Sequence, residues 1–85
     1  MSVPWDDAFE GLLRPLLPLL PADAPLTEDL DLVRCGLDSL NVVELLAGIE
    51  DHYDIVLADD EISAKTVSMP ATLWRVVSGH LLARS

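Results

Sequence analysis

Few side chains in this sequence could do chemistry, and one of them is conspicuously placed. The stretch CGLDSLNVVELL, Cys35 to Leu46, sets Gly36, Asp38 and Ser39 ahead of a run of apolar and acidic residues at helical spacing. Asp38 is a good N-cap residue, since its carboxylate can take a backbone N–H of the first turn. Ser39 then lies in that turn, where unpaired N–H groups and the positive end of the helix dipole favour an anion. A phosphodiester made on the Ser39 hydroxyl would place its negative charge where the backbone accommodates it. On position alone, a plain capping role for Ser39 would be the favoured reading.

Other chemistries lack their parts. The hydrolase elbow reads G-x-S-x-G. Here Gly36 stands three residues before Ser39 rather than two, and Asn41 occupies the place of the second glycine. His52 falls more than three turns down the same helix and His80 on the inner side of another, so no base is placed to complete a triad. One cysteine, Cys35, and two separated histidines give no metal-ligand spacing. No catalytic residue and no metal site are therefore assigned. His52 reads as solvated, His80 as a half-buried core residue, and Cys35 as a small apolar residue of low reactivity.

The elements that must position Ser39 are all helical. Four helical segments are predicted, with no strand pattern and no internal repeat. The first covers about residues 5–20, where Phe9, Leu12, Leu13, Leu16, Leu17 and Leu20 recur at spacings of three and four. Asp6 and Asp7 suit its first turn, whereas Pro15 and Pro18 predict a kink or an end near Arg14. A loop over 21–37 follows, with Leu30, Leu32 and Leu37 as its points of attachment to the core. The second helix spans about 38–53. A short third helix is expected over about 59–64, with Ile62 as its apolar contact. The last spans about 69–83, with Ser68 as cap, Pro70 in the first turn, and Leu73, Val76, Val77, His80 and Leu81 facing inward.

The second helix has more apolar surface than a core contact needs. Val42, Leu45, Leu46, Ile49 and Tyr53 fall within one stripe of roughly 100°. Leu40, Val43 and Ala47 land on the opposite side, edged by Glu44, Glu50 and Asp51. Either another helix covers this side, or it is a docking face. Gly48, mid-helix, costs about 1 kcal/mol relative to alanine. It marks either a close approach or nothing functional.

Composition narrows the partners. The 85 residues suit one domain, 1–85, and 51% hydrophobic content excludes a disordered chain. Five Lys and Arg against 15 Asp and Glu give a net charge of -10, which argues against nucleic acid and anionic membranes. The charge either steers basic protein partners or only keeps a leucine-rich chain soluble. The N-terminus has no basic region of the signal-peptide kind, and Pro15, Pro18 and Pro21 interrupt the leucine-rich stretch well short of a membrane span. A soluble cytoplasmic protein is expected.

At Gly36-Leu37-Asp38-Ser39-Leu40 the chain resembles the acyl and peptidyl carrier proteins, the phosphopantetheine-binding carriers. The similarity runs from Leu26 to Val77, through LTEDLDLVRCGLDSLNVVELLAGIEDHYDIVLADDEI and TVSMPATLW. The first helix matches only in being amphipathic. The resemblance implies an all-α four-helix bundle with a long loop between helices 1 and 2 and a short third helix. It implies that Ser39, preceded by Asp38, receives 4′-phosphopantetheine from coenzyme A through a phosphopantetheinyl transferase using Mg²⁺. The thiol of that arm then holds cargo as a thioester, and the chain itself is not an enzyme. Leu40, Val43 and Ala47 match the family's apolar partner contacts, Glu44, Glu50 and Asp51 its acidic ones, and Met69 a further contact before the last helix. The implied partners are a loading acyltransferase or adenylating ligase and a ketosynthase or condensation-type enzyme, met by a monomer. Asn41, Trp74, Arg75 and the prolines depart from the fatty-acid members. They favour a carrier for polyketide or nonribosomal-peptide products, of the kind used in antibiotic biosynthesis, over the fatty-acid carrier. The initial methionine suits a discrete protein. An unmodified, carrier-like interaction module is the alternative of another class.

Overall fold

The computed structural model describes residues 3–83. Three α-helices order the chain: α1 over Asp7–Leu13, α2 over Ser39–Tyr53 and α3 over Pro70–Ala83. Short 3-10 turns stand at Arg14–Leu16, Asp59–Glu61 and Thr66–Ser68. The all-helical class is as expected. No described helix is long and apolar enough to cross a membrane.

The first helix is shorter than the predicted 5–20. It starts at an Asp6 cap, whose Oδ1 accepts the Phe9 N–H at 2.9 Å. Pro15 then has no N–H to offer the Gly11 carbonyl. The chain tightens into the 3-10 turn and leaves at Leu17, φ −118° and ψ 72°. Arg14 secures the stop, donating to Glu10 Oε2 at 2.8 Å and to the Ala24 carbonyl at 2.8 Å. Leu17 stays buried although the helix has ended, and Leu16 and Leu20 pack partly against the core.

The predicted third helix over 59–64 is a 3-10 turn of three residues. Glu61 closes it both ways: its N–H bonds the Ala58 carbonyl at 3.0 Å and its carboxylate accepts the Ala58 N–H at 3.0 Å. Beyond it, the Ser63 hydroxyl takes the Thr66 N–H at 3.2 Å, and the Thr66 hydroxyl donates to the Glu61 carbonyl at 3.2 Å. These local bonds compete with a continuing helix and win. Ser68 does not cap α3: it stands one residue too early, the Ala71 N–H goes to the Glu28 carbonyl at 3.1 Å, and the Ser68 hydroxyl donates backward to the Lys65 carbonyl at 2.7 Å. Met69 instead precedes the helix in extended conformation, and Pro70 opens it.

The core gathers Phe9 and Leu13 from α1, Leu45 and Ile49 from α2, and Leu73 and Val77 from α3. Val76 and Leu81, expected with the inner stripe, are only half-buried, and His80 is half-buried as expected. The loop contributes Leu26, Leu32 and Leu37, all buried, with Leu30 packed partly against them. Trp5 is buried too, 5.6 Å ring to ring from Phe9. Phe9 meets Trp74 edge-on at 5.1 Å, and Trp74 meets Tyr53 at 6.1 Å. Trp74 therefore belongs to the core's aromatic edge. Gly48 faces α1: a Cβ there would stand 3.3 Å from Leu12 Cδ2. Its close neighbour is thus a side chain of this protein rather than a bound group.

Two backbone bonds stitch the long loop to the start of α3. The Leu32 N–H donates to the Ser68 carbonyl at 3.0 Å, and the Ala71 N–H to the Glu28 carbonyl at 3.1 Å. Gly36, at φ 106°, then turns the chain toward α2 with its α-carbon against Pro18. A Cβ there would lie 2.8 Å from Pro18 Cγ and Cδ, too close for any side chain. Gly36→Ala is expected to lower stability by roughly 1–3 kcal/mol in urea unfolding from backbone strain alone. Ile49→Ala, which empties a fully buried site, is expected to cost about 2–5 kcal/mol in the same measurement.

Candidate functional site

Asp38 and Ser39 divide the head of α2 between them. Asp38 is extended, φ −108° and ψ 178°, and its Oδ1 accepts the Asn41 N–H at 2.8 Å. Its carbonyl accepts the Val42 N–H at 2.9 Å. Asp38 is thus the cap, and Ser39 is the first residue of a 15-residue helix. The Ser39 hydroxyl is not spent on capping, and both residues are exposed. The N–H groups of Ser39 and Leu40 are the ones a capped first turn leaves unpaired, beside the positive end of the dipole.

The flank of α2 is open. Leu40 is 80% and Val43 67% exposed, so no described element covers this side. Ala47, Glu44 and Asp51 are exposed with them. Glu50 differs from the expected free acid: it is half-buried, and its Oε2 accepts the Leu57 N–H at 2.8 Å. That bond folds the chain back after Asp54, whose left-handed conformation, φ 56° and ψ 51°, ends the helix. The result is a groove of about 460 Å³ lined by Val43, Leu46, Ala47, Glu50, Leu57 and Ile62. Leu57 and Ile62 stand in irregular chain without a period, so only the fold brings them to the groove. Met69 is half-buried. Its neighbour Ser68 holds Leu32, so the approach to α3 and the loop that carries the motif are bonded together.

The histidines lie away from the head of α2. His52 is exposed and stands edge-on to Tyr53, 4.8 Å between ring centres. His80 Nε2 is 2.9 Å from both carboxylate oxygens of Glu61, with side chains 28% and 35% exposed. Sequence reasoning missed that pair, because nothing in a separation of 19 residues announces it. Cys35 is half-buried, and its carbonyl accepts the Leu19 N–H at 3.0 Å.

Several carboxylates are held ionised. Burial pulls Asp6 upward, but hydrogen bonds from Tyr53, at 2.6 Å, and from the Phe9 N–H outweigh it, with His52 nearby, and keep its carboxyl below 3.8. The Arg14 hydrogen bond holds Glu10 below 4.5 against some burial, helped by Trp5. The Ala58 N–H, then His80, lower Glu61 below 4.5. Burial and the Asp6 carboxylate push the Tyr53 phenol above its ordinary range.

A family model described as the phosphopantetheine attachment site matches residues 7–73. The chain belongs to that family. Among curated proteins, none matches it. Members of the family carry 4′-phosphopantetheine covalently, and the chain is accordingly a phosphopantetheine carrier. The head of α2 fits such a group. It has an exposed hydroxyl at Ser39, N–H groups in the first turn that a capped helix leaves unpaired, and exposed apolar side chains at Leu40 and Val43.

Asp38→Ala is expected to cost about 0.5–2 kcal/mol by thermal or urea unfolding. The lowered carboxylates also set an acid limit. Their native pKa values lie below the unfolded ones, so their contribution is complete above the ordinary values of 3.8 for Asp6 and 4.5 for Glu10 and Glu61, and is lost as pH falls through the depressed native values. Stability measured by urea unfolding should hold steady from neutral pH to about 5 and decline below it, and Asp6→Asn should flatten that decline.

Proposed function

We propose that Ser39 is the attachment residue and that the chain is a monomeric carrier of the cytoplasm, shuttling thioester-bound intermediates of polyketide or nonribosomal-peptide biosynthesis. One observation carries the reading: within the family match, the exposed hydroxyl of Ser39 opens α2 while Asp38 does the capping. When bound, the arm supplies a terminal thiol that holds cargo as a thioester. The protein's part is to hold and present it. Asp38 fixes the first turn, and the unpaired N–H groups of that turn accept the phosphodiester charge. Leu40, Val43 and Ala47 give partner enzymes an apolar contact, and Glu44 and Asp51 steer a basic partner to it. Met69 adds a contact from the approach to α3, and Glu50 shapes the groove rather than offering a free charge. The partners are a phosphopantetheinyl transferase, a loading acyltransferase or adenylating ligase, and a ketosynthase or condensation-type enzyme. A small face with charged rim suits brief encounters, which a shuttle needs between visits.

The groove of Val43, Leu46, Ala47, Leu57 and Ile62 favours a second reading, the fatty-acid carrier, because its apolar wall suits an alkyl chain. Amide shifts at Leu57 and Ile62 on loading an octanoyl group, absent on loading an aminoacyl group, would support that cargo.

Incubation with coenzyme A, Mg²⁺ and a broad-specificity phosphopantetheinyl transferase is expected to add one arm by intact mass, and Ser39→Ala to abolish the addition. No gain on the wild-type chain would point instead to an unmodified interaction module. Glu44→Lys combined with Asp51→Lys is expected to slow the modification about tenfold or more at low salt, with helicity unchanged by circular dichroism.

A further inference from the structure

One face of α3 carries features that the attachment site does not use. Thr72, Val76, Gly79 and Ala83 recur at spacings of four, three and four, one stripe along about 16 Å of helix. Two open hollows adjoin it. The larger, about 420 Å³, is lined by Glu61, Arg75, Val76, Gly79, His80 and Ala83. The smaller, about 240 Å³, shares Arg75 and Val76 and adds Lys65 and Thr72 among its walls. The two meet at the shared walls Arg75 and Val76 and are taken together as one shallow channel, with Leu82 exposed on the same helix.

Gly79 has no packing reason inside the described protein. It costs about 1 kcal/mol relative to alanine in a helix interior, yet a Cβ there would meet nothing within 4 Å. A bare backbone on an open helix face lets another backbone approach closely. The channel's charge then selects what approaches. In a chain of net charge -10, Lys65 and Arg75 both stand exposed at its wall. Among the described residues Arg14 and Arg34 are paired with Glu10 and Asp31, whereas no ion pair takes up Lys65 or Arg75. Glu61 is the acid at the wall, and it faces His80 at 2.9 Å. The hydroxyls of Ser63, Thr66 and Thr72 are committed to bonds within the protein, so recognition falls to the two cations and the apolar floor.

We infer that this face of α3 is a docking surface for an acidic amphipathic helix of a partner protein. The partner lays an apolar stripe over Val76, Gly79 and Ala83 and sets carboxylates against Lys65 and Arg75. The surface is opposite in charge to the flank of α2, so the two faces select different partners, and the inference does not depend on which residue bears the arm.

The test is a selection from a library of helical peptides displayed against the full 85-residue chain, in its Ser39→Ala form as well as the wild type. Peptides with an apolar stripe and Asp or Glu flanks are expected to enrich on both forms. The same peptides should shift the amide resonances of Val76, Gly79 and Ala83, and their affinity should fall about tenfold or more in Lys65→Glu with Arg75→Glu. Gly79→Leu should abolish binding; should that variant lose helicity by circular dichroism, the charge-reversed variant decides. Failure to enrich, enrichment of Lys- or Arg-flanked peptides, shifts confined to α2, or peptide-free shifts at these amides that depend on protein concentration, which would mean a second copy occupies the face, each overturn the inference.

Discussion

Residues 17–38 contain no helix, yet the position of Ser39 depends on them. Irregular chain holds a fixed path only when its backbone is bonded and its side chains are buried, and here both conditions are met. Leu26, Leu32 and Leu37 are drawn into the core, and the Leu32–Ser68 and Ala71–Glu28 bonds tie the loop to the head of α3. Gly36 then swings the chain over Pro18 and hands it to the Asp38 cap. A serine held this way is fixed without being enclosed. That combination is what the attachment role proposed for Ser39 requires, since one enzyme must reach the hydroxyl and others must later meet its cargo.

The same economy governs the open flank of α2. Leu45 and Ile49 give that helix its core contact, so Leu40 and Val43 are not needed for folding and are left in water. Glu50 would have completed an acidic rim, but closing the chain after Asp54 requires an acceptor for the Leu57 N–H, and Glu50 supplies it. The rim is therefore carried by Glu44 and Asp51, and the bond made by Glu50 creates the groove between α2 and the irregular segment.

Much of this was legible in the residues. The span of α2, its two faces and a proline in the first turn of α3 follow from local rules of period and helix entry. The residues left open whether Asp38 or Ser39 caps α2, and they pointed to Ser68 for a cap on α3 that it does not make. Pro15 signalled the early end of α1 correctly, while the leucine period running on to Leu20 overstated the helix. There the buried leucines continue on irregular backbone, which periodicity cannot distinguish from a helix. The third helix failed for a similar reason: the hydroxyls of Ser63 and Thr66 captured the backbone. Contacts between distant parts had no local signature at all. The Glu61–His80 pair, the Tyr53–Asp6 bond and the burial of Trp5 each require the fold first.

The aromatic edge gives the molecule a built-in optical gauge. Trp5 and Trp74 flank Phe9, and Tyr53 lies 6.1 Å from Trp74, close enough to surrender its excitation to the indole. Tyr53 sits at the opposite end of α2 from Ser39, about 20 Å along the axis. Emission from this quartet therefore reports whether α1 is seated on its neighbours, and it does so without a label and at a distance from the head of α2.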